Sequence, residues 1–230
     1  MEEDKASRIL DAAEALLVSY GYRKVTIDEV ARRAGVGKGT VYLYWPSKRE
    51  LFATVLTRES AELVREQLAA LREDPAEVRL HRVMRRTFVQ VMKRPLARAQ
   101  SIGDYDVLGE LLTMSKAGLR LAASKSENTS GYLVLLHKHG LLADDPATDP
   151  LLSYRLSAAV TGAFLLESVL GAADFDLDDK AEALATTVRR AFEPSTEPTP
   201  ATLRDAATEL ADLHERWLAV LDNSFPQGNS

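Results

Sequence analysis

The sequence predicts an all-α protein, a small N-terminal three-helix module followed by a larger helical domain. Three observations carry that expectation. Apolar residues return at helical spacing in the segments between turn signals. The stretch Thr26 to Lys48 reads as two short helices joined by a glycine turn, a helix-turn-helix. Glycines and prolines stand at the intervals where helices have to end, notably Gly35, Pro75, Pro95, Gly103, Gly140 and Pro150.

The first helix, about Lys5 to Tyr20, carries Ile9, Leu10, Ala13, Leu16, Leu17 and Tyr20 as a stripe for the two helices that follow. The second starts at a capping box: Thr26 caps, Glu29 reaches back, and Val25 and Val30 form a hydrophobic staple. It stops at Ala34, because Gly35 can take the left-handed conformation that closes a helix. Gly37 opens the third helix, about Lys38 to Tyr44. At about 100° per residue, Val41, Tyr44 and Trp45 fall on one side, and Gly39, Thr40, Tyr42 and Leu43 on the other. A solvated surface helix normally carries charges on its outer face, and this one has none there. A DNA groove accounts for such a face. Gly39 admits close backbone approach, Thr40 bonds a base edge or phosphate, Tyr42 offers a hydroxyl to a phosphate, and Leu43 meets a thymine methyl. Ser47 and Glu50 form a second capping box, so the next helix starts with its positive dipole end and Lys48 in its first turn, a place for a phosphate. Thr26 starts its own helix likewise.

From Ser47 a long helix runs to about Leu71, and Asp74-Pro75 breaks it before another from about Ala76 to Lys93. Pro95 starts a short helix ending near Gly103, and Asp104 can cap the next, inside a kinked stretch from about Leu96 to Ser115. Helix resumes from Lys116 to His139, weakened at Ser130-Gly131 and closed by Gly140. The helix from Leu151 to Leu170 is apolar over most of its circumference, and one from about Leu177 to Phe192 follows it. Glu193 to Pro200 is a Pro-rich linker by composition. A further helix, Ala201 to Leu221, places Leu203, Ala207, Leu210, His214, Trp217 and Leu221 on one stripe, with Trp217 as its anchor, and Phe225 to Ser230 reads as a disordered tail.

Charge sharpens the reading. The net charge is −5, the wrong sign for nucleic acid. Between Arg23 and Arg49, however, seven basic residues face only Asp28 and Glu29, a local +5 that leaves −10 for the rest. Such a basic module on an acidic body should engage DNA in one orientation, with marked salt dependence. There are no cysteines, which removes disulfides, thiol redox chemistry and thiolate metal sites together. No apolar run reaches the length of about 18 residues that a membrane span needs, and the acidic start does not suit a signal peptide, so a cytoplasmic protein is expected.

Other chemistry fits poorly. Gly35 to Thr40 hints at a phosphate loop but lies between helices and lacks its first glycine. His137 and His139 stand two apart on divergent sides of a helix and read as solvated residues, not metal ligands. No Glu-x-x-His pair of a di-iron bundle occurs, and Asp174 to Asp179 lacks the glycine and terminal Glu of a calcium loop, reading instead as a helix cap. No catalytic set, metal or cofactor is expected.

The segment from about Arg8 to Phe52 resembles the N-terminal domain of TetR-family transcriptional regulators. The resemblance lies in Arg8-Ile-Leu-Asp-Ala-Ala-Glu-Ala-Leu-Leu17, Tyr20-Gly21-Tyr22, Thr26-Ile27-Asp28-Glu29-Val30-Ala31, Gly35-Val36-Gly37-Lys38-Gly39-Thr40-Val41-Tyr42 and the Pro46-Ser47-Lys48 step. It implies DNA contacts from Thr26, Lys38, Gly39, Thr40, Tyr42, Tyr44 and Lys48. Leu43, where a longer polar or aromatic side chain is common, and Trp45, where Phe is usual, depart from the pattern. Leu43 bears on the operator sequence and Trp45 on packing. The organisation expected is a DNA-binding domain over 1–50, a ligand-sensing and dimerisation domain over 51–193, a linker over 194–200, an additional helix over 201–222 and a tail over 223–230. The resemblance further implies a homodimer, through the helices at about 151–170 and 177–192, on a double-stranded DNA operator. A small hydrophobic effector is expected among the middle helices, where Phe88, Met92, Tyr105, Leu108, Met114, Tyr132 and Phe164 are the candidate lining. The reading is a ligand-responsive regulator, a repressor released by its effector. Two alternatives remain: a DNA-binding regulator without a small-molecule ligand, and a helical-bundle enzyme, which the absence of a converging acid, base, nucleophile or metal set disfavours.

Overall fold

The computed structural model describes residues 2–109, 111, 116–169, 175–223 and 225, and every regular element among them is helical. Met114, Asp174 and most of the expected tail lie outside the described residues. The helices are α1 (Glu2–Tyr20), α2 (Ile27–Ala34), α3 (Lys38–Tyr44), α4 (Lys48–Glu73), α5 (Leu80–Lys93), α6 (Pro95–Ile102), α7 (Tyr105–Leu108), α8 (Lys116–Lys138), α9 (Leu152–Val169), α10 (Leu177–Phe192) and α11 (Pro200–Asp222), with a 3-10 turn over Pro75–Val78. No described helix is long and apolar enough to cross a membrane.

The chain divides into two compact units, one of residues 1–61, 95–124 and 219–230, the other of 62–94 and 125–218. This division departs from the expected boundary at residue 50, and Gly21 supplies a physical reason. Gly21 adopts φ +74°, and a Cβ there would stand 2.4 Å from the Asp106 carbonyl oxygen. The missing side chain lets the turn after α1 meet the backbone of α7, where the Tyr22 N–H donates to the Val107 carbonyl at 2.8 Å. Residues of the middle segment thus join the N-terminal helices. In the same unit Ile9, Ala13 and Leu17 of α1 are fully buried, and Arg58 of α4 reaches Asp11 at 2.7 Å and Glu14 at 2.6 Å on α1.

In the second unit α5 and α10 pack along each other, and the helix expected from Ala76 splits at Arg79. The break has a cause in Glu193, whose side chain is 2% exposed. Its carboxylate accepts from the His81 backbone N–H at 2.8 Å and from the Arg79 guanidinium at 2.9 and 3.1 Å, capping α5 from the far end of α10. Burial alone would raise this carboxyl, but the hydrogen bonds from His81 and Arg79 hold it below the usual carboxylate range. The expected linker is pinned as well, because Glu197 accepts from Arg79 at 2.7 Å and pairs with Arg189.

Three further expectations change. Helix α8 runs unbroken through Ser130-Gly131, because Leu213 of α11 lies 3.3 Å from where a Gly131 Cβ would stand, so the glycine permits close helix approach. Trp217 is only half-buried, and Leu210 and His214 are the deep anchors of α11. His139 is not solvated: its Nε2 lies 2.9 Å from Glu209 of α11. His137 keeps some exposure, with Nε2 3.9 Å from Asp145. Among the described residues no cluster could hold a metal ion.

His214 is 4% exposed, its Nδ1 lies 3.3 Å from the Asn128 side-chain oxygen, and burial depresses its pKa to about 4. The unfolded chain therefore binds a proton that the folded chain refuses between the ordinary histidine value and about 4. Stability should be full above about pH 6.5 and fall as pH drops towards 4, by up to about 3 kcal/mol. Denaturant titrations across that range should show this slope, and His214→Leu should flatten it. An equal slope in the variant would assign the acid sensitivity elsewhere.

Candidate nucleic-acid interface

Helix α3 has seven residues, too few to be stable alone, so its order comes from its neighbours. Val41 is fully buried and Trp45, just past the helix, is 2% exposed, with its indole N–H donating to the Thr54 hydroxyl of α4 at 3.0 Å. Tyr44 is half-buried, with its ring 5.5 Å from that of Trp45. The opposite face is open: Gly39 is exposed, Thr40 half-exposed, Tyr42 44% exposed and Leu43 82% exposed. The turn before α3 is set by Gly35 at φ 67°, whose N–H bonds back to α2, and Gly37 starts the helix without a side-chain cap.

The caps at the module's edges follow the expected chemistry. Thr26 accepts from the Glu29 N–H at 3.3 Å, while its own N–H and hydroxyl donate to Glu29 Oε2 at 2.8 and 2.9 Å. These hydrogen bonds hold the Glu29 carboxyl below its ordinary value. The Thr26 hydroxyl is therefore already engaged within the protein. Ser47 accepts from the Glu50 N–H at 3.1 Å and starts α4.

Both lysines expected to contact DNA have internal partners. Lys38, at the start of α3, places Nζ 2.7 Å from Asp28 on α2, and that hydrogen bond raises its pKa. Lys48 donates to the Tyr22 carbonyl at 2.5 Å, and its ammonium sits 4.2 Å from the centre of the Tyr22 ring, which packs edge-on against Phe52 at 5.6 Å. Burial lowers the Lys48 pKa. Sequence reasoning missed both pairings. Asp28 and Lys38 lie ten positions apart on different helices, and nothing in the spacing fixes how two helices turn about a glycine.

Residues 9–55 match the family model for bacterial regulatory proteins of the tetR family. The similarity to that family thus lies in the N-terminal module. An uncharacterized HTH-type transcriptional regulator of Mycobacterium tuberculosis (strain CDC 1551 / Oshkosh) is 48% identical over 63 residues, 27% of this chain and 33% of that protein. The HTH-type transcriptional repressor KstR of Mycolicibacterium smegmatis is 31% identical over 123 residues, 48% of this chain and 60% of that protein. The chain thus matches about a third to three fifths of the length of these relatives. A tetR-family transcriptional regulator from Streptomyces coelicolor shares the fold, with TM-score 0.58 at 23% identity over 94% of this chain and 89% of that one.

Outside residues 9–55, the candidate effector residues that are described scatter. Phe88 and Phe164 are buried and stacked, with ring centres 5.4 Å apart and planes 15° from parallel. Tyr132 is buried and its hydroxyl donates to the Val78 carbonyl at 2.7 Å; burial holds it un-ionised, well above the ordinary tyrosine range. Met92 is half-buried in the same unit, whereas Tyr105 and Leu108 belong to the other. Neither Phe88, Met92, Leu108, Tyr132 nor Phe164 lines the cleft of about 810 Å³ along α5, whose walls are charged: Arg82, Arg85, Arg86, Lys93 and Arg94 against Glu66, Glu77 and Glu182.

The exposures separate two kinds of residue in α3. Tyr42→Ala and Leu43→Ala should change unfolding free energy by no more than about 0.5 kcal/mol, and Trp45→Ala should cost about 3–5 kcal/mol. Denaturant melts of the three variants test this, and a large loss at Tyr42 or Leu43 would place that side chain in the core.

Proposed function

We propose that the protein is a DNA-binding transcriptional regulator of the repressor type, acting as a homodimer on a palindromic operator and released by a small molecule. The observation that carries this reading is the outward face of α3, where Leu43 is 82% exposed beside Gly39, Thr40 and Tyr42, with no charge of its own between two basic flanks. Such a face gains nothing from water and suits the base edges of a major groove, with Leu43 against a thymine methyl and Thr40 and Tyr42 as hydrogen-bonding groups. Lys48 and the start of α4 supply phosphate contacts once the Lys48 ammonium leaves the Tyr22 carbonyl, and Thr26 and Tyr44 lie at the rim. The tetR-family match and the relatives named as repressors support the same reading.

Dimerisation is proposed through α9 and α10. On α9, Leu152, Leu156 and Phe164 face inward, yet Tyr154, Leu165 and Leu166 remain exposed, at 71%, 41% and 53%. A helix apolar on two sides needs a second cover, and a twofold mate provides it. Two α3 helices would then enter successive major grooves about 34–36 Å apart, one helical turn. An apolar effector, on this reading, parts the Phe88–Phe164 stack and binds one arrangement of the helices better than the other; equal binding to both would shift nothing. The filled stack also favours a second reading, a regulator of the same kind controlled by a partner and without a small ligand.

Selection of bound sequences from fragmented genomic DNA at near-physiological salt tests the proposal. A palindrome should emerge, and salt-sensitive retention of every sequence alike would contradict it. On the selected operator, Lys48→Ala should weaken binding to all sequences uniformly and reduce the salt slope by about 0.9. An unchanged slope would leave Lys48 as a partner of the Tyr22 carbonyl alone.

A further inference from the structure

Lys38 opens α3, and the first residues of a reading helix are those that meet base edges. Its ammonium is held 2.7 Å from the Asp28 carboxylate, and both side chains stay open to solvent, at 51% and 65%. An ammonium has three N–H donors. One serves Asp28, two remain directed elsewhere, and the pair as a whole carries no net charge. Phosphate attraction depends on net charge and counterion release, whereas base-edge recognition depends on directed donors. A lysine so paired loses most of the first and keeps the second. Guanine N7 and O6 are the acceptors that suit it. Asp28 is the carboxylate that meets the first residue of α3, and it is half of the only acidic pair in the sequence between Arg23 and Arg49. The other half, Glu29, is occupied by its cap.

We propose that Asp28 is a specificity-determining positioning residue, which holds the Lys38 ammonium in a pair without net charge as an oriented base-reading donor and keeps it from binding phosphates indiscriminately. This rests on the DNA-binding reading above and adds a residue to it. With Asp28 in place, Lys38 contributes to discrimination at one base pair and little to the salt dependence. Without it, Lys38 swings to the nearest phosphate and becomes an ordinary electrostatic contact.

The test is to titrate the full-length wild-type protein, Asp28→Asn and Asp28→Glu against the selected operator and a scrambled duplex across a salt series, with a thermal melt of each. Asp28→Asn should raise affinity for the scrambled duplex about fivefold at 0.15 M salt and steepen its salt slope by about 0.9, the counterion release of one added phosphate contact. Operator affinity should change less, so that the ratio of the two falls, and Asp28→Glu should restore it. A merely structural role in α2 would move the melt and leave slope and ratio alone. An unchanged slope, or an equal rise on both duplexes, would overturn the proposal, the latter making Asp28 only a repelling charge. If the wild type itself does not prefer the operator, the regulator reading fails and this inference falls with it.

Discussion

The packing of Val41 and Trp45 beneath α3 is the constraint on which the rest of the N-terminal module depends. A helix of seven residues has almost no stability of its own, and its outward face buries nothing. Its rigidity is borrowed from two buried side chains and from hydrogen bonds to its neighbours, Lys38 to Asp28 on α2 and, buried, the Trp45 indole N–H to the Thr54 hydroxyl on α4. The buried indole would cost free energy without that acceptor, so Trp45 and Thr54 act as a unit. Because the bond joins α3 to α4, it fixes the outward face of α3 relative to the first two turns of α4. Tyr22 adds a second joint in the same unit: its N–H meets α7, its carbonyl takes Lys48, and its ring packs on Phe52.

Charge is organised differently in the other unit. Between Glu77 and Pro95 the sequence holds six basic residues and no acidic one. The carboxylates that answer them arrive from elsewhere, with Glu66 on α4, Asp74 at the 3-10 turn, and Asp178, Glu182 and Glu193 on or beside α10. Most of these pairs are open to solvent and contribute little singly. Glu193 is the exception. It is buried, accepts from a backbone amide and two arginine nitrogens, and fixes where α5 begins.

Much of the fold is legible in the residues because its boundaries are set locally. The Thr26–Glu29 capping box, the left-handed Gly35 and the Gly103 and Gly140 closures are written within a few positions of where they act. The two faces of α3 follow from helical periodicity alone, which is why the sequence itself puts Val41 and Leu43 on opposite sides. What the sequence hides is tertiary. Gly21 stands in the sequence only as part of Tyr20-Gly21-Tyr22, and nothing there foretells its close approach to Asp106, in the segment 95–124 that groups with the N-terminal helices. Gly131 reads as a weak point and is a contact for Leu213. The acid-free run along α5 can be seen in the sequence, but the partners of Arg79 lie 114 and 118 positions away, beyond any periodic argument. The candidate effector residues are marked out by residue type alone, and type does not say whether an aromatic ring lines a space or fills it, as the Phe88–Phe164 stack does.

The central claim, that α3 and the start of α4 present the DNA-reading surface, is tested most directly by amide hydrogen exchange with and without the selected operator duplex. Protection concentrated in Gly37 to Glu50, with further slowing at the Thr26 cap, is the result the account predicts. Protection confined to α5 and the arginine-lined cleft, with α3 exchanging as in the free protein, would contradict it.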